Sequence, residues 1–486
     1  MTRYGALLGI VALAALLRFP TLDVQSYWLD EAVTAVKVIQ PSLSDTLHTI
    51  PTSEAAPPLY YGVAWLWSKV FGTGEVGLRS LSALAGTLTV VVAYAAAARL
   101  ASPRAGLIAA ALVATSPFLV WYSQEARSYA LVVLLAAVAF LFFIRSLQEG
   151  RDRDYWLWAL FSSLAVATHY FGAFPAVAEA AWLVLRGRRG IAVAASSLIA
   201  LTCAVLLPLA LDQADNRVGW IGDIPILERM RVATRLFVGG PGFRFDFHPS
   251  IGPGFVVAVG LLLIVSAAVY LTLRADATER RRATLAGGIG AVALGLPLAA
   301  GVVGPDYFIH RNVIVAWIPL AVAFAVLCAV RGAQPAGSVV AGIVAALFTG
   351  LSLGQPLDES RQRDDWRQAA EVLGPASPDR LIVTAPDFNS IPVRYYRPGA
   401  RRVGTLPRPA DGFILLTVTP RGLSQPPEAP PGFRITERRD IVRNEVLTMI
   451  WVQPSPARPI DAPAVVDAAR KMGFDSVNLL AESPPF

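Results

Sequence analysis

Apolar residues fill long runs over residues 1–354 of this chain, and the short segments between the runs hold most of the charge there. A helix of roughly 20 apolar residues is long enough to cross a bilayer. The pattern therefore predicts eleven membrane spans, at 4–20, 77–98, 105–122, 129–147, 155–172, 174–186, 191–211, 253–273, 284–303, 312–330 and 337–354. Since the first run ends at Arg18 and Pro20 and not at a small-residue cleavage site, we interpret it as an uncleaved signal anchor.

The connections between these runs alternate in composition. Every second connection is rich in arginine, at positions 3, 99–104, 145–153, 186–189, 274–282 and 331. Short arginine-rich loops stay in the cytoplasm, so the pattern predicts a multi-pass protein of the plasma (inner) membrane with a cytoplasmic N-terminus. The external segments are then 21–76, 123–128, 169–173, 212–252, 304–311 and the extracytoplasmic tail after 354.

The composition agrees with a membrane protein. Of the 486 residues, 55% are hydrophobic and 16% are charged, whereas soluble domains carry about 25% charged residues. The arginine loops account for much of the formal net charge of +7, and no nucleic-acid-binding motif accompanies it. Cys203 and Cys328 both lie inside apolar runs, which argues against a disulfide framework.

The first external loop, 21–76, is too long for a simple connection and too apolar for a disordered one. Its stretches VTAVKVIQPSLSDTLHTI and PPLYYGVAWLWSKVF are apolar on one side and predict interfacial helices that lie along the membrane surface. The loop also carries three acids, Asp30 and Glu31 in SYWLDEAVTA and Glu54 in TSEAAPPLYY. All three are expected on the external side, close to the bilayer.

After residue 354 the apolar runs shorten, and Pro, Arg and Asp become frequent. RDDWRQAAEVLG and APAVVDAARKMG predict helices, whereas RLIVTA, GFILLTV and VLTMIWVQ predict strands. The chain therefore divides into a transmembrane domain, 1–354, and an external soluble α/β domain, 355–486. The predicted fold is a polytopic α-helical membrane protein with about eleven transmembrane helices, interfacial helices in the first external loop and this small C-terminal α/β domain.

The later external turns add cations and hydrogen-bond donors. WYSQEARSY holds Glu125 and Arg127, THYFG holds His169 and Tyr170, and GPDYFIHRN holds His310 and Arg311. Ionisable groups at membrane depth are costly and usually line a pathway or a site. A carboxylate can take the proton of an attacking hydroxyl, and Arg and His can bind a departing phosphate. The pattern therefore favours transfer of a lipid-linked sugar at the membrane surface.

In these stretches the chain resembles the GT-C glycosyltransferases, in particular the branch of the protein O-mannosyltransferases (glycosyltransferase family 39-like) and of the aminoarabinose transferase that modifies lipid A. The matching stretches are SYWLDEAVTA, SEAAPPLYYGVAWLWSKVFGTGEVGLRSLSAL, SPFLVWYSQEARSYAL, THYFG, IHRNVIVAWIPL, DDWRQAAEVL and VTAPDFNSIPVRYY. The resemblance implies an inverting transfer of a sugar from a polyprenyl-phosphate donor to an acceptor hydroxyl on the external face. The expected partners are this donor, a lipid, glycan or protein acceptor, and the bilayer.

The resemblance also implies roles for single residues. Asp30 is the expected general base, and Glu54 is a second catalytic acid that orients the acceptor or shares the role of Asp30. The donor phosphate is expected to contact Arg127, His310 and Arg311. The other expected substrate contacts are Glu31, Tyr61, Arg79, Glu125, His169 and Tyr170.

Two positions depart from the pattern of the family. Ala56 stands where the branch often has a His before the Pro-Pro pair, which weakens the expectation of a metal or of an extra phosphate contact. Val33 stands where the lipid A enzymes carry an Arg, which argues against aminoarabinose transfer. No metal ligand and no cofactor are assigned, and a divalent cation is left open.

Each residue also has a purely structural interpretation. Asp30 and Glu31 would favour a helix N-terminus, Glu54 would cap the next helix, and Glu125 and Arg127 would pair across their turn. For the whole chain, a lipid-linked-sugar transporter (flippase) and an inactive glycan-binding membrane scaffold stay open. A transporter would show inverted repeats and charges at mid-span. The sequence has no internal repeat, and its polar residues gather at one side's helix ends, which favours an enzyme.

Overall fold

The structure, a computed structural model, describes residues 3–217, 221–240, 253–303, 306–377, 380–405, 410–420 and 427–482. The chain forms two compact units. The first comprises Met1–Leu22 and Pro41–Gly354, and the second comprises Asp23–Gln40 and Gln355–Phe486. The segment that carries Asp30 thus groups with the C-terminal region. A division of the chain at residue 354 places the same segment in the transmembrane domain instead.

The described residues form helices over most of their length. In chain order the α-helices are α1 (Arg3–Leu16), α2 (Leu29–Val33), α3 (Leu43–Ser53), α4 (Leu59–Phe71), α5 (Glu75–Leu100), α6 (Pro103–Thr115), α7 (Pro117–Tyr122), α8 (Tyr129–Glu149), α9 (Asp152–Thr168), α10 (Ala173–Arg186), α11 (Arg189–Arg217), α12 (Ile226–Gly239), α13 (Pro253–Arg274), α14 (Ala277–Val303), α15 (Trp317–Cys328), α16 (Ala336–Leu357), α17 (Trp366–Val372), α18 (Ser390–Tyr396) and α19 (Ala462–Lys471). A π-helix, Thr34–Val38, directly follows α2. The strands are β1 (Leu381–Ala385), β2 (Ala400–Arg402), β3 (Phe413–Pro420), β4 (Phe433–Val442), β5 (Glu445–Pro454) and β6 (Asn478–Glu482).

All eleven predicted apolar runs fall on helices of the first unit. In the part of the chain that the structure describes, five helices are long and apolar enough to cross a membrane, namely α5, α8, α11, α14 and α16. The predicted fold class is confirmed in this coarser form, and the number of eleven crossings stays a prediction. The run 105–122 is divided into α6 and α7 because the Ser116 hydroxyl accepts a hydrogen bond from the backbone N–H of Leu119, and Pro117 begins the new helix.

Small side chains let the helices of the first unit approach one another closely. Its largest core cluster includes the buried Ala93, Ala97, Ala109 and Ala110 on α5 and α6. Small residues at such contacts allow close backbone packing in membrane proteins. The loops at the helix ends are therefore held by a rigid bundle.

The two predicted interfacial stretches of the first loop are helical. The first corresponds to the π-helix and α3, and Ser42 begins α3 by accepting a hydrogen bond from the backbone N–H of Asp45 at 3.0 Å. The second is α4, which ends at Gly72 with a φ of +74°. Within the predicted external loop 212–252 the chain forms α12, and residues 241–252 of that loop lie outside the described residues.

The second unit contains a six-stranded mixed sheet in the order β2-β6-β1-β3-β5-β4. β1 and β3 are parallel, and the other neighbours are antiparallel. On one face Val383 and Leu415 pack with α19, and on the other Ile382 and Leu416 pack with Trp366 of α17. Because both faces are covered, the central strand β1 is buried at every position. The predicted α/β character of the C-terminal region is confirmed.

Candidate functional site

The predicted site residues are divided between the two units. Asp30 and Glu31 belong to the second unit. The first unit contains all the others: Glu54, Tyr61, Arg79, Glu125, Arg127, His169, Tyr170, His310 and Arg311.

Glu54 and Arg127 form a buried ion pair in the first unit. Glu54 directly follows α3, and Arg127 lies in the turn between α7 and α8. Both terminal nitrogens of Arg127 contact the carboxylate, Nη1 to Oε1 at 2.8 Å and Nη2 to Oε2 at 2.8 Å. The residues are 3% and 8% exposed. The planar guanidinium suits this two-point contact, which fixes the direction of the carboxylate.

The ion pair gives Glu54 a different structural role from the predicted one, which was to cap the next helix. Glu54 does not cap α4, because the N-cap of that helix is Pro58 and carries no side-chain cap bond. Its charged partner lies 73 positions further along the chain. The pair therefore joins the first external loop to the turn before α8.

Tyr61, on α4, lies close to this pair. Its side chain is fully buried, and its ring packs edge-on against Tyr60 with the centroids 5.3 Å apart. Burial raises the pKa of the Tyr61 phenol well above its usual value; the positive charge of Arg127 opposes this, and the Glu54 carboxylate adds to it. Tyr61 is therefore a neutral phenol beside the ion pair.

A row of aromatic rings joins the two predicted histidines. The ring centroids of His310 and Tyr122 are 6.4 Å apart, those of Tyr122 and Tyr129 are 5.0 Å apart, and those of Tyr129 and His169 are 5.9 Å apart. Tyr129 opens α8, in the same turn as Arg127. The row therefore brings the turns before α8, after α9 and before α15 together.

His169 lies just beyond the last residue of α9 and is held in one orientation. Its Nδ1 accepts a hydrogen bond from the backbone N–H of Phe171 at 3.3 Å. Burial lowers the pKa of His169 to about 3, and the positive charges of Arg127 and Arg311 lower it further in the same direction. His169 is therefore a neutral imidazole with its proton on Nε2. Arg127 and Arg311 both act on it, so the structure brings these three predicted residues into one electrostatic environment.

Three other predicted residues have different surroundings. Arg79 is buried on α5, and its Nη1 donates to the carbonyl of Leu22 at 2.7 Å. Glu125 is buried in the same turn as Arg127. The Tyr170 hydroxyl donates to Oε1 of Gln213 at 2.8 Å.

Gln213 is a residue that the sequence interpretation missed. It is buried on α11, and its Nε2 donates to the carbonyl of Ala56 at 3.3 Å. It thus connects Tyr170 with the position where the family often has a His. The only signal in the sequence is an amide beside Asp212 at the end of an apolar run, which is too weak to identify a site residue.

Arg229 on α12 was also missed. It is buried and forms a two-point ion pair with Asp306, with Nη1 to Oδ1 at 2.8 Å, and it donates to the carbonyl of Phe308 at 2.9 Å. The hydrogen bond from Arg229 is the main cause that lowers the pKa of Asp306. These contacts hold the turn that continues to His310 and Arg311.

In the second unit, Asp30 and Glu31 occupy the first turn of the short helix α2. Glu31 is 1% exposed, whereas Asp30 is half-buried. Adjacent helical residues point about 100° apart, so the helix buries one acid and leaves the other accessible. Trp28 is the N-cap and makes no side-chain cap bond.

Distant segments of the second unit hold this acid pair in place. The Ser26 hydroxyl donates to the carbonyl of Asp364 at 2.8 Å and accepts from the backbone N–H of Trp366 at 3.1 Å. The Arg363 guanidinium lies 3.9 Å from the centre of the Trp28 ring. The backbone N–H of Tyr27 donates to the hydroxyl of Tyr396 at 2.6 Å. Three stretches that carry the family resemblance, SYWLDEAVTA, DDWRQAAEVL and VTAPDFNSIPVRYY, therefore meet in one unit.

Within the described residues, no group of three or more His, Cys, Asp or Glu side chains is arranged to hold a metal ion. Two described acids of the site, Glu54 and Asp306, are instead paired with arginine.

A family model matches one part of this chain. Residues 55–211 match the model of the family described as dolichyl-phosphate-mannose-protein mannosyltransferase. The match confirms the resemblance to the GT-C glycosyltransferases and supports a glycosyltransferase. Together with the long apolar helices, it supports a multi-pass membrane protein. No curated protein matches the chain significantly.

Solved structures also match this chain, at low identity. The oligosaccharyltransferase of Archaeoglobus fulgidus in the apo form is 13% identical over 78% of this chain and 58% of its own, with a TM-score of 0.48. ArnT from Cupriavidus metallidurans bound to undecaprenyl phosphate is 16% identical over 92% and 98%, with a TM-score of 0.35. The mycobacterial arabinofuranosyltransferase AftD is 15% identical over 93% and 42%, with a TM-score of 0.45. The chain thus spans little more than half of the archaeal enzyme.

Proposed function

We propose that this chain, which carries a GT-C glycosyltransferase segment at residues 55–211, is an inverting glycosyltransferase that takes its sugar from a polyprenyl-phosphate donor. The sugar passes to an acceptor hydroxyl on the external face of the membrane. The observation that carries the proposal is the buried Glu54–Arg127 ion pair, with the buried His169 and the partly buried Arg311 in the same electrostatic environment. This group combines an oriented carboxylate with cations at helix ends, and two of its members, Arg127 and His169, lie in the segment that matches the family model.

On the donor side, the proposal assigns the phosphate to Arg311 and His310. The turn that carries them is held by the Arg229–Asp306 pair, so their positions are set before substrate arrives. His169, neutral and with Nε2 protonated, is a hydrogen-bond donor that adds no charge. Arg127 already uses both terminal nitrogens on Glu54. A direct phosphate contact would have to exchange with this carboxylate, so we propose that Arg127 mainly positions Glu54 and adds positive potential.

On the acceptor side, the proposal assigns proton removal to Asp30. Of the two adjacent acids it is the accessible one, and a base must reach the hydroxyl that it deprotonates. The acceptor oxygen attacks the anomeric carbon, its proton passes to the Asp30 carboxylate, and the bond from the anomeric carbon to the phosphate oxygen breaks. The polyprenyl phosphate leaves with the bonding electrons. Attack opposite the leaving group inverts the anomeric centre, as in inverting glycosidases. Glu54 orients the acceptor.

The test is transfer by the purified chain in proteoliposomes. Polyprenyl-phosphate sugars are supplied as a panel with lipid, glycan and peptide acceptors, and donor loss and product are measured by mass spectrometry. Asp30→Asn should lower the transfer rate at least about 100-fold, as expected for loss of a general base. Asp23→Asn is the matched control, because Asp23 is an exposed acid of the same segment whose carbonyl, not its carboxylate, binds Arg367. Arg311→Gln should chiefly raise the KM for the donor.

Three results would contradict the proposal. If the Asp30→Asn variant transfers sugar at the wild-type rate, Asp30 is not the general base. Movement of the donor lipid between leaflets without product supports the transporter instead. Binding of donor without turnover by the wild-type chain over the whole panel supports the inactive scaffold.

A further inference from the structure

Away from the candidate site, the first unit contains a cavity of about 260 Å³. It lies among α5, α8, α10 and α14, next to the arginine-rich loops that are predicted to be cytoplasmic. Its charged lining consists of Arg186, Arg281 and Arg282, and its apolar lining includes Leu147, Trp182 and Leu285. The cavity therefore combines positive charge with an apolar wall.

The three arginines of the cavity differ from others of the same loops. Arg145 pairs with Asp154, and Arg188 pairs with Asp152. Within the described part of the chain, the side chains of Arg186, Arg281 and Arg282 make no ion pair or hydrogen bond. Three like charges around one cavity repel one another, so this arrangement favours an anionic ligand that neutralises them.

The acids next to the cavity are already engaged with backbone groups. Asp276 Oδ1 accepts from the N–H of Glu279 at 2.8 Å, and Glu279 Oε2 accepts from the N–H of Asp276 at 3.0 Å. Oε1 of Glu279 accepts from the N–H of Arg331 at 3.1 Å. These carboxylates begin α14 and brace the neighbouring turn, so the arginines still lack a partner of their own.

We infer that this cavity binds the phosphate headgroup of an anionic phospholipid, with the acyl chains along its apolar wall. Guanidinium groups bind phosphate through paired charge-assisted hydrogen bonds. Basic pockets between membrane helices on the cytoplasmic side are suited to anionic headgroups. A free phosphate ion would gain nothing from Leu147 or Leu285, whereas a lipid uses both parts of the lining. Trp182 is the kind of residue that lies at the headgroup level. The inference is independent of the proposed glycosyl transfer.

The test measures lipid retention by the purified full chain in detergent, using native mass spectrometry. Phosphatidylglycerol is titrated against phosphatidylcholine with the same acyl chains. The variant R186Q/R281Q/R282Q should bind phosphatidylglycerol at least about tenfold more weakly, since each arginine near an anionic lipid contributes measurably. The matched control is R104Q/R189Q/R280Q, which removes the same charge from exposed arginines that do not line the cavity. Its affinity should stay within about twofold of wild type.

Two outcomes overturn the inference. Equal losses in both triple variants would mean that only general surface charge attracts the lipid. Full displacement of phosphatidylglycerol by millimolar inorganic phosphate would identify a free-anion site. If the first variant does not fold, the wild-type chain is crosslinked with a photoactivatable phosphatidylglycerol. Crosslinks in the peptides that contain Trp182 and Leu285 support the site, and crosslinks only elsewhere exclude it.

Discussion

The acids of the first predicted external loop lie in two physically different surroundings. Glu54 is buried in the first unit and is held at two points by Arg127. Asp30 lies half-buried on a five-residue helix of the second unit. A carboxylate with a buried counter-charge is suited to holding a fixed orientation, whereas an accessible carboxylate is suited to exchanging a proton. One loop thus provides both kinds of acid, which agrees with the proposed roles of Glu54 in orientation and of Asp30 in proton removal.

The same contrast recurs within a single pair of neighbours. Glu31 is nearly inaccessible, and Asp30 is not. Both are acids of the same helical turn, so residue type does not distinguish them. The orientation of α2 distinguishes them, because it buries one side chain and leaves the other partly exposed.

The largest effect on stability is expected where the counter-charge is removed. Arg127→Gln leaves the Glu54 carboxylate buried without its bidentate partner, and it should lower the free energy of unfolding by about 3–5 kcal/mol. Thermal denaturation in detergent measures the change. The control is Arg188→Gln, which breaks a pair with Asp152 whose side chains are 59% and 60% exposed and should cost less than about 1 kcal/mol. Equal melting temperatures for the two variants would show that the burial of the first pair does not matter.

A smaller effect should separate the two neighbouring acids. Glu31→Gln changes a buried group and should lower the free energy of unfolding by about 1–3 kcal/mol. Asp30→Asn should change it by less than about 0.5 kcal/mol while abolishing most transfer. Thermal denaturation and the transfer assay on the same preparations separate the two effects. If Asp30→Asn destabilises the chain as much as Glu31→Gln, its loss of activity no longer identifies a base.

A third effect concerns pH and the part of the second unit that holds the Asp30 segment. The pKa of Asp364 is raised to about 7, first by burial and then by the negative charge of Glu445, with Arg363 opposing. The folded state therefore keeps a proton that the unfolded state loses near pH 4. Stability should fall as the pH rises from about 4 to 7, because the unfolded state binds fewer protons in that range.

Asp364→Asn tests this dependence. The substitution keeps the carbonyl that binds Ser26 but removes the titrating group. Melting temperatures at pH 5.5 and 8.5 should differ less in the variant than in wild type, and the variant should be the more stable at pH 8.5. An unchanged difference would assign the pH dependence to other groups.

Much of the helical fold could be predicted from the sequence, because each long apolar run is subject to a constraint that acts within that run alone. A backbone in lipid must satisfy its own hydrogen bonds, so long apolar runs become helices; all eleven runs did. Three strands of the tail, β1, β3 and β5, were predicted from their sequence, whereas β2, β4 and β6 were not. The partners of the buried polar and charged side chains could not be predicted in this way. Gln213 reaches Ala56 across 157 positions, and Arg229 reaches Asp306 across 77. No local pattern encodes such distances.

The sequence by itself determined that the long apolar runs are helices, that three segments of the tail are strands, and which turns carry ionisable groups, because each of these depends on the residues of a single segment. Only the tertiary structure decided that Glu54 faces Arg127, that burial keeps His169 neutral, and that residues 23–40 join the C-terminal unit. The physical reason is that charge pairing and burial depend on distances between segments far apart in the chain. These distances are set by the packing of whole helices and sheets.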